Sequence, residues 1–160
     1  MYRHKTMRVN YTTYDMRREQ DSINPRTHPD IMTISHDEPS TNNYHPYWYA
    51  RVVGIFHINI IHSGPKLKSP NPQRIDFLFV RWFGLDLNYT GGWEAQRLHR
   101  VGFLPPNMPG AFGFLNPAEV IRGVHLIPAF AHGQVDELGK SVARRPQDQD
   151  KDWRYFYIGM

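Results

Sequence analysis

Hydrophobic and polar positions alternate along much of this chain, and the longest alternating run is Tyr47–His62, YWYARVVGIFHINIIH. A period of two in residues rich in β-branched and aromatic types predicts a strand. Ala50, Val52, Phe56, Ile58 and Ile60 are expected on one face, buried against a core. Tyr49, Arg51, His57 and Asn59, with Val53 and Ile55 among them, are expected on the other, facing solvent or a ligand. Gly54 interrupts the run as a glycine does at a bulge or a barrel corner. A second run, Phe77–Leu85 (FLFVRWFGL), pairs with the first in a long predicted hairpin. The connection Ser63–Arg74 carries three prolines, which cannot donate to a ladder, and reads as a loop.

Shorter pieces flank the hairpin. Met7–Tyr14 alternates and predicts an edge strand or an arm, Met16–Asp21 predicts one helical turn, and Ile31–Ile34 a small strand. Asp37–Pro46 has loop composition and is expected to be the most mobile internal segment. Ala95–Phe103 alternates with an ambiguous apolar face. Asn116-Pro117-Ala118-Glu119 carries the signals of a helix start, with Asn as N-cap and Pro at the first position; Gly123 limits that helix to about Arg122. Val124–Phe130 and Trp153–Ile158 predict two more strands, with the polar stretch 131–151 between them. A strand that closes the sequence so abruptly suggests a fragment of something longer.

These elements predict a mainly β chain: a small SH3-like or BAH-like barrel of five or six short antiparallel strands, one short helix and an irregular N-terminal arm. Residues 1–46 form the arm and mobile loop, and residues 47–160 the barrel-like domain, on which the arm can pack.

Composition narrows the picture. Thirteen prolines and twelve glycines in 160 residues argue for turns over long helices. The absence of cysteine excludes disulfides and thiolate zinc sites. No run approaches the ~20 apolar residues of a membrane helix, so no membrane partner is expected. A net charge of +4 permits nucleic-acid contact, but affinity requires that the charge be clustered.

Candidate chemistry is sparse. Nine histidines show no HxH, HxxxH or HExxH spacing, and no metal site is assigned to them. No GxSxG elbow occurs, Gly91-Gly92 lies in no phosphate-loop pattern, and no cofactor is expected. Asp76, Asp86 and Glu94 near strand ends are the only carboxylates offered to a metal-dependent nuclease. The chain is therefore read as non-catalytic. Lys66, Lys68, Arg74, Arg97 and Arg100, in basic loops beside aromatics, suit a nucleic-acid backbone. Arg144 and Arg145 are diluted by neighbouring aspartates. Tyr47, Trp48 and Trp93, beside loops at strand ends, are candidates for a cage that holds a methylated lysine by cation–π attraction.

Seven phrases carry a resemblance: NYTTYDMRREQDSINPRTHPDIMTIS, HPYWYARVVGIFH, VRWFG, GGW, RLHRVGF, FGFLNPAEVIRGVHLIPAF and DWRYFYIGM. Together they span about Asn10 to Met160. They resemble the C-terminal region of large basidiomycete fungal proteins associated with Plavaka-type, CACTA-like DNA transposons. More loosely, the strand–Trp–strand layout is similar to a domain that follows the transposase in plant CACTA elements. The resemblance implies a nuclear accessory module, DNA- or chromatin-associated, without the transposase carboxylates. It carries no catalytic or binding residue over to this chain. A peptide or methyl-lysine reader is the alternative function.

Overall fold

The computed structural model describes residues 1–37, 44–61, 71–148 and 150–159. Four strands precede the hairpin: β1 (Tyr2–His4), β2 (Met7–Thr12), β3 (Arg18–Ile23) and β4 (Asp30–Ile34). The hairpin itself is β5 (Tyr47–Ile60) and β6 (Gln73–Leu85). Then come β7 (Arg100–Phe103), β8 (Phe112–Leu115), β9 (Val120–Gly123) and β10 (His125–Pro128). The chain closes with β11 (Gln134–Val135), β12 (Asp152–Trp153) and β13 (Phe156–Gly159). The fold is mainly β and antiparallel, as the alternation predicts.

The paired hairpin runs from Tyr49↔Phe83 to Ile60↔Gln73, with a register slip between Val52 and Gly54. That slip corrects the expected faces. One extra residue in β5 turns the strand over, so Ile55 joins Ala50 and Val52 in one cluster, although simple alternation sets them apart. Gly54 permits it: a Cβ there would collide with the ring of Phe56. Arg51 and Tyr49, expected to meet solvent, are buried.

The sheet has the order β10-β13-β7-β6-β5-β4-β9, with β1 added to β5 and β8 to β6. Its hydrogen-bonded path does not close, so the expected closed barrel is corrected to an open nine-stranded sheet. The two edges of the path are nonetheless consecutive in the chain. β9 pairs with β4, β10 pairs with β13, and the single residue Val124 joins them, its N–H donating to the Asp30 carbonyl.

Three local expectations change. The helical turn at Met16–Asp21 is instead β3, which pairs along its whole length with β2 through a turn at Thr13–Arg17. The helix from Asn116 is only a 3-10 turn, Pro117–Glu119, with Asn116 Oδ1 accepting from the Ala118 N–H. β-branched Val120 and Ile121 then leave it for pairing with β4. Residues 1–46 do more than lie across a domain: β4 is an internal strand, with β5 on one side and β9 on the other. Parts of the expected mobile loop (38–43) and of the hairpin connection (63–70), with His62 at the end of the predicted strand, lie outside the described residues.

Both faces of the central strands are covered. On one, Ala50, Val52, Leu78 and Val80 pack with Val9 and Ile23 from the β2–β3 hairpin and with Leu115 and Val120. On the other, Tyr49, Phe83, Val101, Leu126, Phe156, Ile158 and Met32 form a second core. A row of charges crosses that second face. Asp30, Arg51 and Arg81 stand opposite one another on β4, β5 and β6. Arg51 donates from Nε to Asp30 Oδ1 at 2.7 Å and from Nη2 to Oδ2 at 3.0 Å. Arg81 Nη1 donates to Asp152 Oδ2 at 2.9 Å, and Arg144 Nη2 reaches the same oxygen at 3.3 Å. The Arg81 guanidinium lies 3.7 Å from the Phe103 ring centre, and that of Arg51 lies 5.1–5.5 Å from Phe83, Phe103 and Phe156.

Removing one member of such a pair leaves a buried charge without its partner. Asp30→Ala is expected to lower stability by about 3–5 kcal/mol. The double substitution Asp30→Leu with Arg51→Met is expected to lose clearly less, because no charge is left stranded. Urea unfolding of the three proteins checks both.

Candidate functional site

The ladder between β5 and β6 ends at Tyr49↔Phe83. Beyond that point the strands part. Tyr47 and Trp48 stay with β4, opposite Ile34 and Thr33. Gly84 and Leu85 turn to β7, opposite Gly102 and Val101. The split opens a cleft of about 500 Å³, lined by Tyr47, Trp48, Tyr49, Trp82, Phe83, Leu85, His45 and Asp37 among others.

Ring geometry gives the cleft its walls. Trp48 and Trp82 meet edge to face at 5.7 Å, and His36 stands edge-on to Trp48 at 5.4 Å. His45 lies 6.1 Å from Tyr47, 5.7 Å from Tyr49 and 4.7 Å from His99. Its Nδ1 lies 2.9 Å from the Tyr47 carbonyl, on the same residue whose N–H it also meets at 3.2 Å. Gly84 keeps one wall low, since a Cβ there would come within 2.8 Å of the Leu104 side chain.

One carboxylate stands at the rim. Trp48 Nε1 donates to Asp37 Oδ2 at 2.8 Å, and Ser35 Oγ donates to the same oxygen at 3.1 Å. Asp37 is thus an exposed anion held beside two indoles. Burial, with Tyr47 adding to it, pushes the Tyr49 phenol up to about 12, so it remains neutral at physiological pH. Burial, reinforced by His45, holds His99 below the ordinary imidazole range. The Trp48 and Trp82 rings, on the first core's face and beside the Asp37 carboxylate, can therefore meet an apolar or weakly hydrated cationic group, while Tyr47 and the buried Tyr49 line the opening from the second core's face.

Of the three aromatic candidates, Tyr47 and Trp48 come together here. Trp93 does not: it is 98% exposed and borders a separate shallow opening with Arg97, Leu98 and His99. Trp82 and Tyr49 complete the cleft and are missing from the sequence-based set. Their signal was the cross-strand register, in which Trp82 stands opposite Ala50, and alternation alone does not reveal register.

Two of the described basic candidates are held in ion pairs. Arg74 is bonded to Asp76, with Nη2 to Oδ1 at 2.6 Å. Arg100 is bonded to Asp86 at 2.6 Å and lies against the rings of Tyr89 and Tyr155. Arg97 is exposed beside Trp93. Lys66 and Lys68 lie outside the described residues. Arg144 and Arg145 are bonded to Asp152 and Asp148. The carboxylates Asp76 and Asp86 are held by different arginines and sit ten residues apart along β6 and its exit, roughly 30 Å at ~3.3 Å per residue. A two-metal site needs its ions ~4 Å apart. No helix among the described residues is long and apolar enough to cross a membrane.

No family model, curated protein or solved structure matches this chain.

The depressed His99 makes stability depend on pH. Its contribution is present in full above about pH 6.5, the unfolded imidazole's value, and is lost as the pH falls from there through the folded value. Melting temperature is expected to drop between pH 7.5 and 5.5, and to drop less in His99→Gln. Thermal melts of the two proteins at both pH values measure this.

Proposed function

We propose that this chain is a non-catalytic interaction module, a reader that takes a methylated lysine of a protein partner into the aromatic cleft. The observation that carries the reading is the contact of Trp48 with Trp82 and with the Asp37 carboxylate in one opening, which Tyr47 and Tyr49 also line. A methylated ammonium is weakly hydrated and carries its charge over a broad surface, so ring faces replace water well. Each such contact contributes about 0.5–2 kcal/mol, and an ionised carboxylate at the rim adds attraction. An SH3-like or BAH-like kinship of the small β domain, and a nuclear, transposon-derived origin, belong to the same proposal. With them the natural partner is a chromatin protein, and the tail of a histone is the first peptide to try.

The DNA-contacting version is less well supported. Arg74 and Arg100 are neutralised by Asp76 and Asp86, which leaves Arg97 as the described basic candidate without an ion pair. A backbone-binding surface needs several such charges in one place.

The test is fluorescence titration of the purified chain with histone-tail peptides, unmodified and trimethylated at lysine. Binding of a trimethylated peptide is expected to exceed that of its unmodified form by about tenfold or more, a difference of ~1.4 kcal/mol. Trp48→Ala and Trp82→Ala are expected to abolish the preference, and Trp93→Ala to keep it. Equal binding of the two forms, or binding of neither, would overturn the reader. In the same buffer, duplex DNA binding that falls steeply with salt and weakens in Arg97→Ala would favour the DNA module instead.

A further inference from the structure

At the other end of the hairpin ladder, eight residues along β5 from Tyr49, three metal-ligating side chains meet. His4 comes from β1, His57 from β5 and Asp76 from β6. Register brings them together. Tyr2, His57 and Asp76 stand in one row across the three strands. His4, two residues on from Tyr2, shares its face and approaches His57 on the diagonal. His4 Nε2 and His57 Nδ1 are 2.6 Å apart, and a carboxylate oxygen of Asp76 lies within 4.8 Å of both. The ring of Tyr2 stacks on His57 at 4.7 Å and 13°, which fixes the plane of that imidazole.

We propose that His4, His57 and Asp76 bind a divalent transition-metal ion of borderline softness, such as Zn²⁺, and that the ion fastens β1 to the hairpin. Two imidazole nitrogens and one carboxylate oxygen are a donor set for such ions, whereas Ca²⁺ and Mg²⁺ prefer all-oxygen sites. Water completes the coordination. Tetrahedral Zn²⁺ with bonds of ~2.05 Å holds two nitrogens ~3.3 Å apart. The imidazole pair therefore has to open by ~0.7 Å, and the carboxylate has to close by up to ~1.5 Å. Both shifts are available. β1 is a three-residue strand on an exposed edge, and Asp76 is half exposed.

Arg74 is the competing contact, since it holds both oxygens of Asp76. That pair is exposed, and exposed pairs contribute little, so one oxygen can turn to an ion while the other keeps the guanidinium. The alternative for the same geometry is a shared proton between the two rings and no ion.

Isothermal titration of the full chain with ZnCl₂ in chelator-treated buffer at pH 7.5 decides between them. One ion per chain is expected. His4→Ala, His57→Ala and Asp76→Asn are each expected to weaken it by at least about tenfold. His125→Ala, with its imidazole exposed on β10, is expected to leave it unchanged. Circular dichroism checks that each variant is folded; should His57→Ala fail to fold, His4→Ala on the short edge strand carries the test. Absence of Zn²⁺ binding, or affinity unaltered in His4→Ala, would overturn the site. The readout is independent of the aromatic cleft, so failure of the reader and failure of the metal site are separate results.

Discussion

The constraint on which the rest of this fold depends is the buried row Asp30–Arg51–Arg81, closed by Asp152. Two guanidinium groups stand directly opposite each other in a sheet, an arrangement that repels unless each finds its own anion. Here the anions come from opposite directions in the chain: Asp30 lies twenty-one residues before Arg51, and Asp152 seventy-one after Arg81. The aromatic rings of Phe83, Phe103 and Phe156 fill the remaining space around the cations. Such a network adds little net stability compared with an apolar core, but it is demanding about position. Each arginine reaches its anion only when β4 is in register and the C-terminal segment has returned, although Arg81 Nε stays buried without a hydrogen-bond partner; segments from both sides of the hairpin are thus tied to it by the same row.

The hairpin then differs between its ends for a simple reason. Near Tyr49 and Phe83 each strand has a different neighbour to follow, β4 for one and β7 for the other, and the backbone splits. Large rings fill a split that no backbone pairing can close, and the cleft is the volume they leave. At the far end the ladder stays paired, β1 adds to it, and the side chains of three strands are pressed into one row. The first geometry suits a guest group, the second an ion.

Net charge says less about partners here than its sign suggests. Among the described residues, Arg74, Arg100, Arg144 and Arg145 each meet a carboxylate, some within a few residues, as with Arg74 and Asp76 or Arg145 and Asp148. Among the described residues, ion pairs thus offset much of the positive charge that the overall +4 suggests.

The sequence by itself determined that the chain is β-rich, where the long hairpin lies and that Gly54 breaks it, because alternation and β-branched composition act locally. It also marked Tyr47 and Trp48, as rings beside a loop. It did not determine which face each residue takes after the bulge, since one extra residue inverts every later side chain and no local signal records it. The strand at Arg18–Ile23 was illegible for a related reason: its residues are polar, and only pairing with Met7–Thr12 makes it a strand. Trp82 joins Trp48, and His4 joins His57 and Asp76, through cross-strand register set by distant parts of the chain. Trp93 carried the same local cues as Trp48 yet ends in solvent, because no strand among the described residues covers it. Those placements belong to the tertiary structure, where burial of the charge row selects one register among those that alternation allows.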